Sequence, residues 1–398
     1  MSPDHLLPLS EEQREIQRVA REFAAAEITP HADRWDREAY FDRALVGKLG
    51  ALGFLGMLLP EEYDGLGLDT VTYLLALEEI SAADASAGVL MSVHNSLPTQ
   101  MILRYGSDEQ KRRFLPGMAR GELLGAFALS EPDAGSDAAA LRTQAVHDGD
   151  GWVLNGTKSW VTSGSHADVI LVMARTDGAD MRRGARGIGA FIVTPDLRGF
   201  SVGKKEDKLG LRASPTVQLQ LDELRVPDAN LLGEPSSGFV YALQSLDNGR
   251  LGIAAQAVGI ARAALEHSVR YAGQRQQFGR PIRDHQAIQF KLADMATRLH
   301  AARALLYQAA AAKDRGEPIT LYASMAKLAA SEAAVAITTE AVQVFGGYGY
   351  VKDFPVERLF RDAKVTEIYE GTSEIQRVVI ARELYGRDQG PGAGARAR

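Results

Sequence analysis

The chain contains no cysteine. Disulfides, thiolate catalysis and cysteine metal sites are therefore excluded. Nor does it contain an unbroken run of eighteen or more apolar residues, so the sequence predicts no membrane-crossing helix. Lysine and arginine are scattered rather than banded, and the net charge is −6, so nothing resembles an electrostatic footprint for nucleic acid. The N-terminus, Met1-Ser2-Pro3-Asp4-His5, lacks a basic segment followed by an apolar one and is not an Arg- and Ser-rich leader, which makes a cytoplasmic protein the default expectation. What is present is ordinary for a soluble protein: 45% hydrophobic and 24% charged residues over 398 positions, enough for two or three domains.

The periodicity divides the chain into three. Residues 1–125 read as helices. Ser10 with Gln13 and Ser107 with Gln110 form capping boxes, Ile16, Val19, Ala20 and Phe23 recur at helical spacing, and Pro30 ends that pattern. Val71 to Ala76 marks another helix, and 82–105 reads as one long apolar helix. Residues 126–235 change to β-type runs: 126–129, 152–154, 159–162, 169–173 and 190–193, with Val217, Leu219 and Leu221 alternating with polar residues. Asn155-Gly156 favours a tight hairpin turn between two of these runs. A charged loop, 176–186, is expected to be solvated. Residues 236–386 return to helical spacing, with main helices over 253–269, 286–313 and 324–345, rich in alanine and able to pack as a bundle. The glycine-rich, basic tail 387–398 is expected to be disordered.

Chemistry gathers at the joints. Glu370 precedes Gly371, and Thr372-Ser373-Glu374 then reads as a helix start. Gly371 permits an unusual dihedral, and Thr372 or Ser373 can cap the new helix. A carboxylate behind an apolar stretch in such a loop can be partly desolvated, which raises its pKa and suits a general base. Phe127 to Asp137 leaves a strand through Leu129-Ser130-Glu131-Pro132 and offers hydroxyls, Ser136 among them. Lys158 to Gly164 sets Trp160, Val161 and Thr162 beside hydroxyls. Asp247-Asn248-Gly249-Arg250 pairs an acid with an arginine. Arg275-Gln276-Gln277-Phe278-Gly279 is a basic loop, followed by His285 and Gln286. Gln343-Val344-Phe345-Gly346-Gly347 is a helix end whose backbone can approach a diphosphate.

Together, in order and at these spacings, the motifs resemble the acyl-CoA dehydrogenase family across nearly the whole chain. Residues 84–97 look like its short-chain and short-branched-chain members. The resemblance implies an α+β fold with an N-terminal helical domain, a middle β-barrel-like domain and a C-terminal four-helix bundle, with FAD between the last two. It implies that Ser130 and Thr162 bond the flavin ring and Trp160 packs beside it, with Phe127, Leu129, Ser136 and Val161 in the same segments. Thr372, Ser373 and Glu374 would hold the adenosine side. Arg275, Phe278, His285, Gln286 and Gln343, Val344, Phe345, Gly346, Gly347 would reach the FAD of a neighbouring subunit, so a homotetramer, a dimer of dimers, is expected. Ser136, Asp247 and Arg250 would meet the CoA portion, with Tyr369 and Gly371 beside the acyl group. Glu370 would remove the α-proton of an acyl-CoA while a hydride passes from the β-carbon to flavin N5, giving the trans-2-enoyl-CoA. The electrons would pass to an electron-transfer flavoprotein, as in fatty-acid β-oxidation. Two departures bear on substrate and base. Gly249 stands where some members carry the base, and Gly88 stands where glutaryl-CoA members carry an arginine, which disfavours a dicarboxylyl substrate. An oxidase using O₂ and a nucleic-acid-binding relative are the alternatives.

Overall fold

The computed structural model describes residues 8–388 apart from 177, 179 and 180. The N-terminal third is helical: α1 (Glu11–Phe23), α2 (Ala32–Glu38), α3 (Arg43–Ala51), α4 (Thr70–Ala83), α5 (Ala85–Ser96), α6 (Pro98–Tyr105) and α7 (Asp108–Ala119). Both capping boxes form, at the starts of α1 and α7. The expected single helix over 82–105 is instead three helices. Asp84 leaves the helical region at φ −154° and its carboxylate caps α5 through the Ala87 N–H, and Leu97 precedes Pro98, which takes the first turn of α6. An apolar run of the right length hides such breaks because all three segments are buried.

The middle third is a curled sheet of β1 (Gly125–Ala128), β2 (Gln144–His147), β3 (Gly151–Thr162), β4 (Val169–Arg175), β5 (Ile188–Val193), β6 (Phe200–Lys205) and β7 (Thr216–Pro227). Its order is β1-β4-β2-β3-β7-β6, with β5 on β4. Ala126, Ala128, Leu154, Val161, Ile170, Val172, Phe191, Val217 and Leu219 fill its interior. Asn155-Gly156 is not a hairpin turn. β3 runs straight through it and the register against β7 slips there, while the turn lies at residues 148–150. Asn155 Oδ1 accepts the Glu223 N–H at 2.8 Å across the slip, so the asparagine stabilises a bulge. The 176–186 segment contributes a short 3₁₀ turn from 181; its residues 177, 179 and 180 lie outside the described set.

The last third holds α8 (Gly238–Gln274), the two-residue strands β8 (Gln276–Gln277) and β9 (Arg280–Pro281), α9 (Gln286–Asp314), α10 (Thr320–Phe345), α11 (Val356–Lys364) and α12 (Ser373–Asp388). Helices α8, α9 and α10 pack together, α10 carries α11 and α12, and α4 and α5 lie on α8. The segment Thr320–Tyr350, which contains α10, is long and apolar enough to cross a membrane by length and composition. Lys327, Glu332 and Glu340 interrupt it, so a search for unbroken apolar runs passes over it. Here it packs within the bundle. The expected tail starts later than residue 387, since α12 continues through Asp388, and residues 389–398 lie outside the described set.

Fully buried Glu78 of α4 joins the first domain to the bundle. It sits 3.1 Å from Arg262 of α8, pairs with Arg303 of α9 and accepts from the Tyr307 hydroxyl at 3.0 Å. Tyr73, also of α4, brings its hydroxyl close to Gly252 of α8, beside the site below.

Candidate active site

Glu370 lies between the short turn Val365–Glu367 and α12, and its backbone is forced. Its φ is +51°, a region costing an L-residue about 1–3 kcal/mol, and Gly371 follows at +92°. Gly371 suits this place because its φ strains any L side chain, and a Cβ would also displace the Gln376 amide, 2.6 Å away. Two side chains hold the pair of residues in place. Gln376 of α12 donates to the carbonyls of Glu370 (3.2 Å) and Gly371 (2.9 Å), and Lys327 of α10 donates to the Gly371 carbonyl at 2.8 Å. Thr372 Oγ accepts the Ile375 N–H and so starts α12 as the cap the sequence suggests.

This backbone aims the Glu370 carboxylate at α8. Both oxygens are buried without a hydrogen-bond partner. A Cβ on Gly249 would lie 1.9 Å from Oε2, so the glycine is the space the carboxylate occupies. Burial pushes the Glu370 pKa up to about 7, against the opposing pull of the Lys327 and Arg250 charges. Arg250 is itself buried, pairing with Asp247, whose other oxygen accepts the Thr320 hydroxyl at 2.7 Å. Asp247 and Arg250, expected at the CoA portion, form an ion pair on α8, and the Arg250 charge acts on Glu370. Tyr369 turns its hydroxyl to Gln256 of α8, whose amide reaches the Ala85 carbonyl at the start of α5. Gln256 thereby links Tyr369 to the N-terminal helices. Fully buried Tyr73 and Ser92 sit close to Gly252, one turn along α8, with their hydroxyls facing each other.

The β-domain residues converge on one rim. Ser159 N–H donates to the Ser130 carbonyl at 2.9 Å, which ties the loop after β1 to β3. Lys158, wholly buried, pairs with Glu131 at 2.7 Å and donates to the Leu129 carbonyl at 3.1 Å, while Glu131 accepts the N–H groups of Arg142 and Thr143. Phe127, Leu129, Ser130, Val161 and Thr162 therefore share a rigid frame. Trp160 projects from it at φ +62°, 62% exposed despite its size. Ser136 is exposed on the same loop.

The third group lies at the far end of α8. Arg275, Phe278, His285, Val344, Phe345, Gly346 and Gly347 line a single cavity of ≈ 920 Å³. The Arg275 guanidinium sits 5.3 Å from the Tyr348 ring centre, and Phe278 is 93% exposed at φ +53°. Gln286 and Gln343 lie beside this group without lining the cavity. Thr372, Ser373 and Glu374 line a separate cleft with Lys364 and Glu367. Sequence reasoning brought out most of these residues but missed Lys327, Gln376, Gln256 and Tyr73. One signal was available. Lys327 occupies the core stripe of α10 with Ala323, Ala330 and Ala334, a place where a lysine is out of pattern.

The three regions of the chain match known protein domains. Residues 10–122, 126–224 and 236–385 match the N-terminal, middle and C-terminal domains of acyl-CoA dehydrogenase. The chain belongs to the acyl-CoA dehydrogenase family. It is 52% identical to the mitochondrial short-chain specific acyl-CoA dehydrogenase of Mus musculus over 376 residues, 94% of this chain and 90% of that one. It matches the structure of butyryl-CoA dehydrogenase from Megasphaera elsdenii with a TM-score of 0.93 at 43% identity, covering 95% of this chain and 99% of the other. A chain solved in work on the electron transferring flavoprotein of Acidaminococcus fermentans matches at TM-score 0.93 and 46% identity, with the same coverage. The enzyme is thus an oxidoreductase of an FAD-dependent family. Its residues fit that cofactor: Arg275 with the glycine-rich helix end suits a diphosphate, and the exposed Trp160 offers an aromatic face beside hydroxyls.

Proposed function

We propose that the enzyme dehydrogenates short straight or branched acyl-CoA thioesters at the α,β bond, with Glu370 as the base. The observation that carries this is the Glu370 carboxylate, buried without a partner against Gly249 at a pKa of about 7. No protein group hydrogen-bonds the Glu370 carboxylate, so none competes with a substrate proton, and a pKa near the working pH suits general-base transfer. Among the described residues no hydrogen bond uses the Glu370 N–H, which leaves it free to donate to a thioester oxygen as negative charge develops there. FAD, when bound, supplies the two-electron acceptor for the β-hydrogen. Ser130, Trp160 and Thr162 would orient its ring, and Thr372 to Glu374 would hold its distal portion. Arg250 and Asp247 fix the α8 wall opposite Glu370, with Ser136 at the mouth for the CoA portion.

Arg275 cannot serve the same flavin as Glu370 within one chain. Residues 250 and 275 are separated by roughly 37 Å along α8 at 1.5 Å per residue, more than an extended flavin nucleotide spans. The Arg275 cavity therefore completes the site of a second copy, which supports an oligomer and is compatible with the expected dimer of dimers. An electron-transferring flavoprotein is the proposed acceptor, in keeping with the Acidaminococcus relative. Peroxide formation or salt-dependent DNA binding would point instead to the disfavoured alternatives.

Gly88 narrows the substrate class. A Cβ there would meet Ser81 Oγ at 2.2 Å and Ser81 Cα at 3.1 Å, so an anion-binding arginine would have to part α4 from α5. Butyryl-CoA and isobutyryl-CoA should bleach the flavin, and glutaryl-CoA should do so slowly. Faster bleaching by glutaryl-CoA than by either would overturn the assignment.

A further inference from the structure

Lys327 lies in the middle of α10 and is wholly buried. Buried lysines are rare unless paired, yet among the described residues no carboxylate lies within ion-pair distance of this one; its ammonium donates to the Gly371 carbonyl at 2.8 Å. That carbonyl belongs to the second of two consecutive residues at positive φ, and the first is Glu370. Gln376 of α12 already donates to the same carbonyl at 2.9 Å. A neutral side chain could share that hydrogen-bonding task without the cost of burying a charge, so the charge calls for a further reason.

The surroundings supply one. Glu370 is the foremost charge acting on Lys327, ahead of Arg250 from α8 and of Glu367 and Glu374 flanking the loop. Glu370 in turn is faced by Lys327 from α10, Arg250 with its partner Asp247 from α8, and Tyr73 from α4, while α12 brings the uncharged Gln376 amide. Arg250 is largely neutralised by Asp247. Lys327 is the cation facing the carboxylate without an ion-pair partner among the described residues.

We propose that Lys327 is a positioning residue for α-proton abstraction: its ammonium pins the Gly371 carbonyl, fixing the strained Glu370 backbone, and supplies the unneutralised positive charge that the Glu370 carboxylate faces inside the closed site. Burial draws the Lys327 pKa down to about 8, which leaves it protonated at neutral pH. The ionised base is thereby held over Gly249 without a hydrogen bond that would have to break before it takes a proton. The inference rests on Glu370 being the base.

The test is the pH dependence of flavin reduction by butyryl-CoA in stopped flow, on flavin-loaded wild type, Lys327→Met, Lys327→Gln and Lys327→Arg. The wild-type rate rises with pH as Glu370 ionises. Without the cation, ionisation is harder. In Lys327→Gln, which keeps a donor to Gly371 but no charge, the rising limb should move up by about one pH unit, with roughly fivefold slower reduction at pH 7 that recovers at higher pH. Lys327→Met should show the same shift and a lower plateau, because the carbonyl is also released. Lys327→Arg should restore the limb toward its wild-type position. If Lys327→Met does not fold, the Gln and Arg pair carries the comparison. A folded, flavin-loaded Lys327→Gln whose limb coincides with wild type would overturn the proposal. So would loss of thermal stability in all three with no shift of the limb. Glu370→Gln separates the two ideas: if it reduces flavin normally, the base assignment fails, whereas if it is inert and the Lys327→Gln limb is unmoved, only the role of Lys327 fails.

Discussion

At the scale of single residues, the proposed chemistry turns on a fit between Glu370 and an absence. Gly249 has no side chain, and the Glu370 carboxylate fills that space, 1.9 Å from where a methyl would be. Alanine at 249 is well tolerated by a helix, so Gly249→Ala should fold and bind FAD normally. It should nevertheless push the carboxylate aside and slow flavin reduction by about 10²-fold, since roughly 1 Å of misplacement can cost that much. Rapid-mixing reduction by butyryl-CoA, normalised to bound flavin, checks this; an unchanged rate would mean that the carboxylate works from another position. The same residues show what a sequence conveys at this scale. Gly371 announced an unusual dihedral, and φ is +92°, but nothing local announced that Glu370 shares it. That backbone is held by Gln376, a few residues on in α12, and by Lys327 of α10, which is remote in the chain, so no local pattern encodes the lysine's share.

At the scale of elements, legibility followed locality. Capping boxes at Ser10/Gln13 and Ser107/Gln110 were readable because a cap is a contact over three residues. The alternation of Val217, Leu219 and Leu221 was readable because one face of β7 is buried. Errors arose where tertiary contact outweighs local preference. Asn155-Gly156 has the chemistry of a turn, but β7 pairs along both flanks and converts it to a bulge. Asp84 and Pro98 break an apolar run into three helices because the breaks themselves are buried and capped. Of the site, the motif residues stood out through family resemblance. The supporting Lys158–Glu131 pair and the Tyr369–Gln256 tie did not, because each links elements whose meeting only the fold determines.

At the scale of the whole molecule, α8 is the organising element: its early turns back Glu370, and its far end opens at the Arg275 cavity. On the proposed shared site, the two ends serve the flavins of two different chains. Arg275→Ala should therefore weaken FAD retention about tenfold or more, since a charge-assisted hydrogen bond contributes roughly 1.5–3 kcal/mol, while the protein stays folded around the Glu78–Arg262–Arg303 cluster. Flavin fluorescence on dilution, alongside sedimentation, measures both quantities. A monomer that retains FAD as tightly as the assembly would contradict the shared site.

Stopped-flow reduction of flavin-loaded Glu370→Gln by butyryl-CoA tests the base assignment most directly. Glutamine keeps the size of the side chain but cannot accept the α-proton, and removal of a general base typically costs about 10²–10⁴-fold. FAD content and acyl-CoA affinity should stay near wild type while flavin reduction nearly stops. Reduction at close to the wild-type rate would show that another group takes the proton.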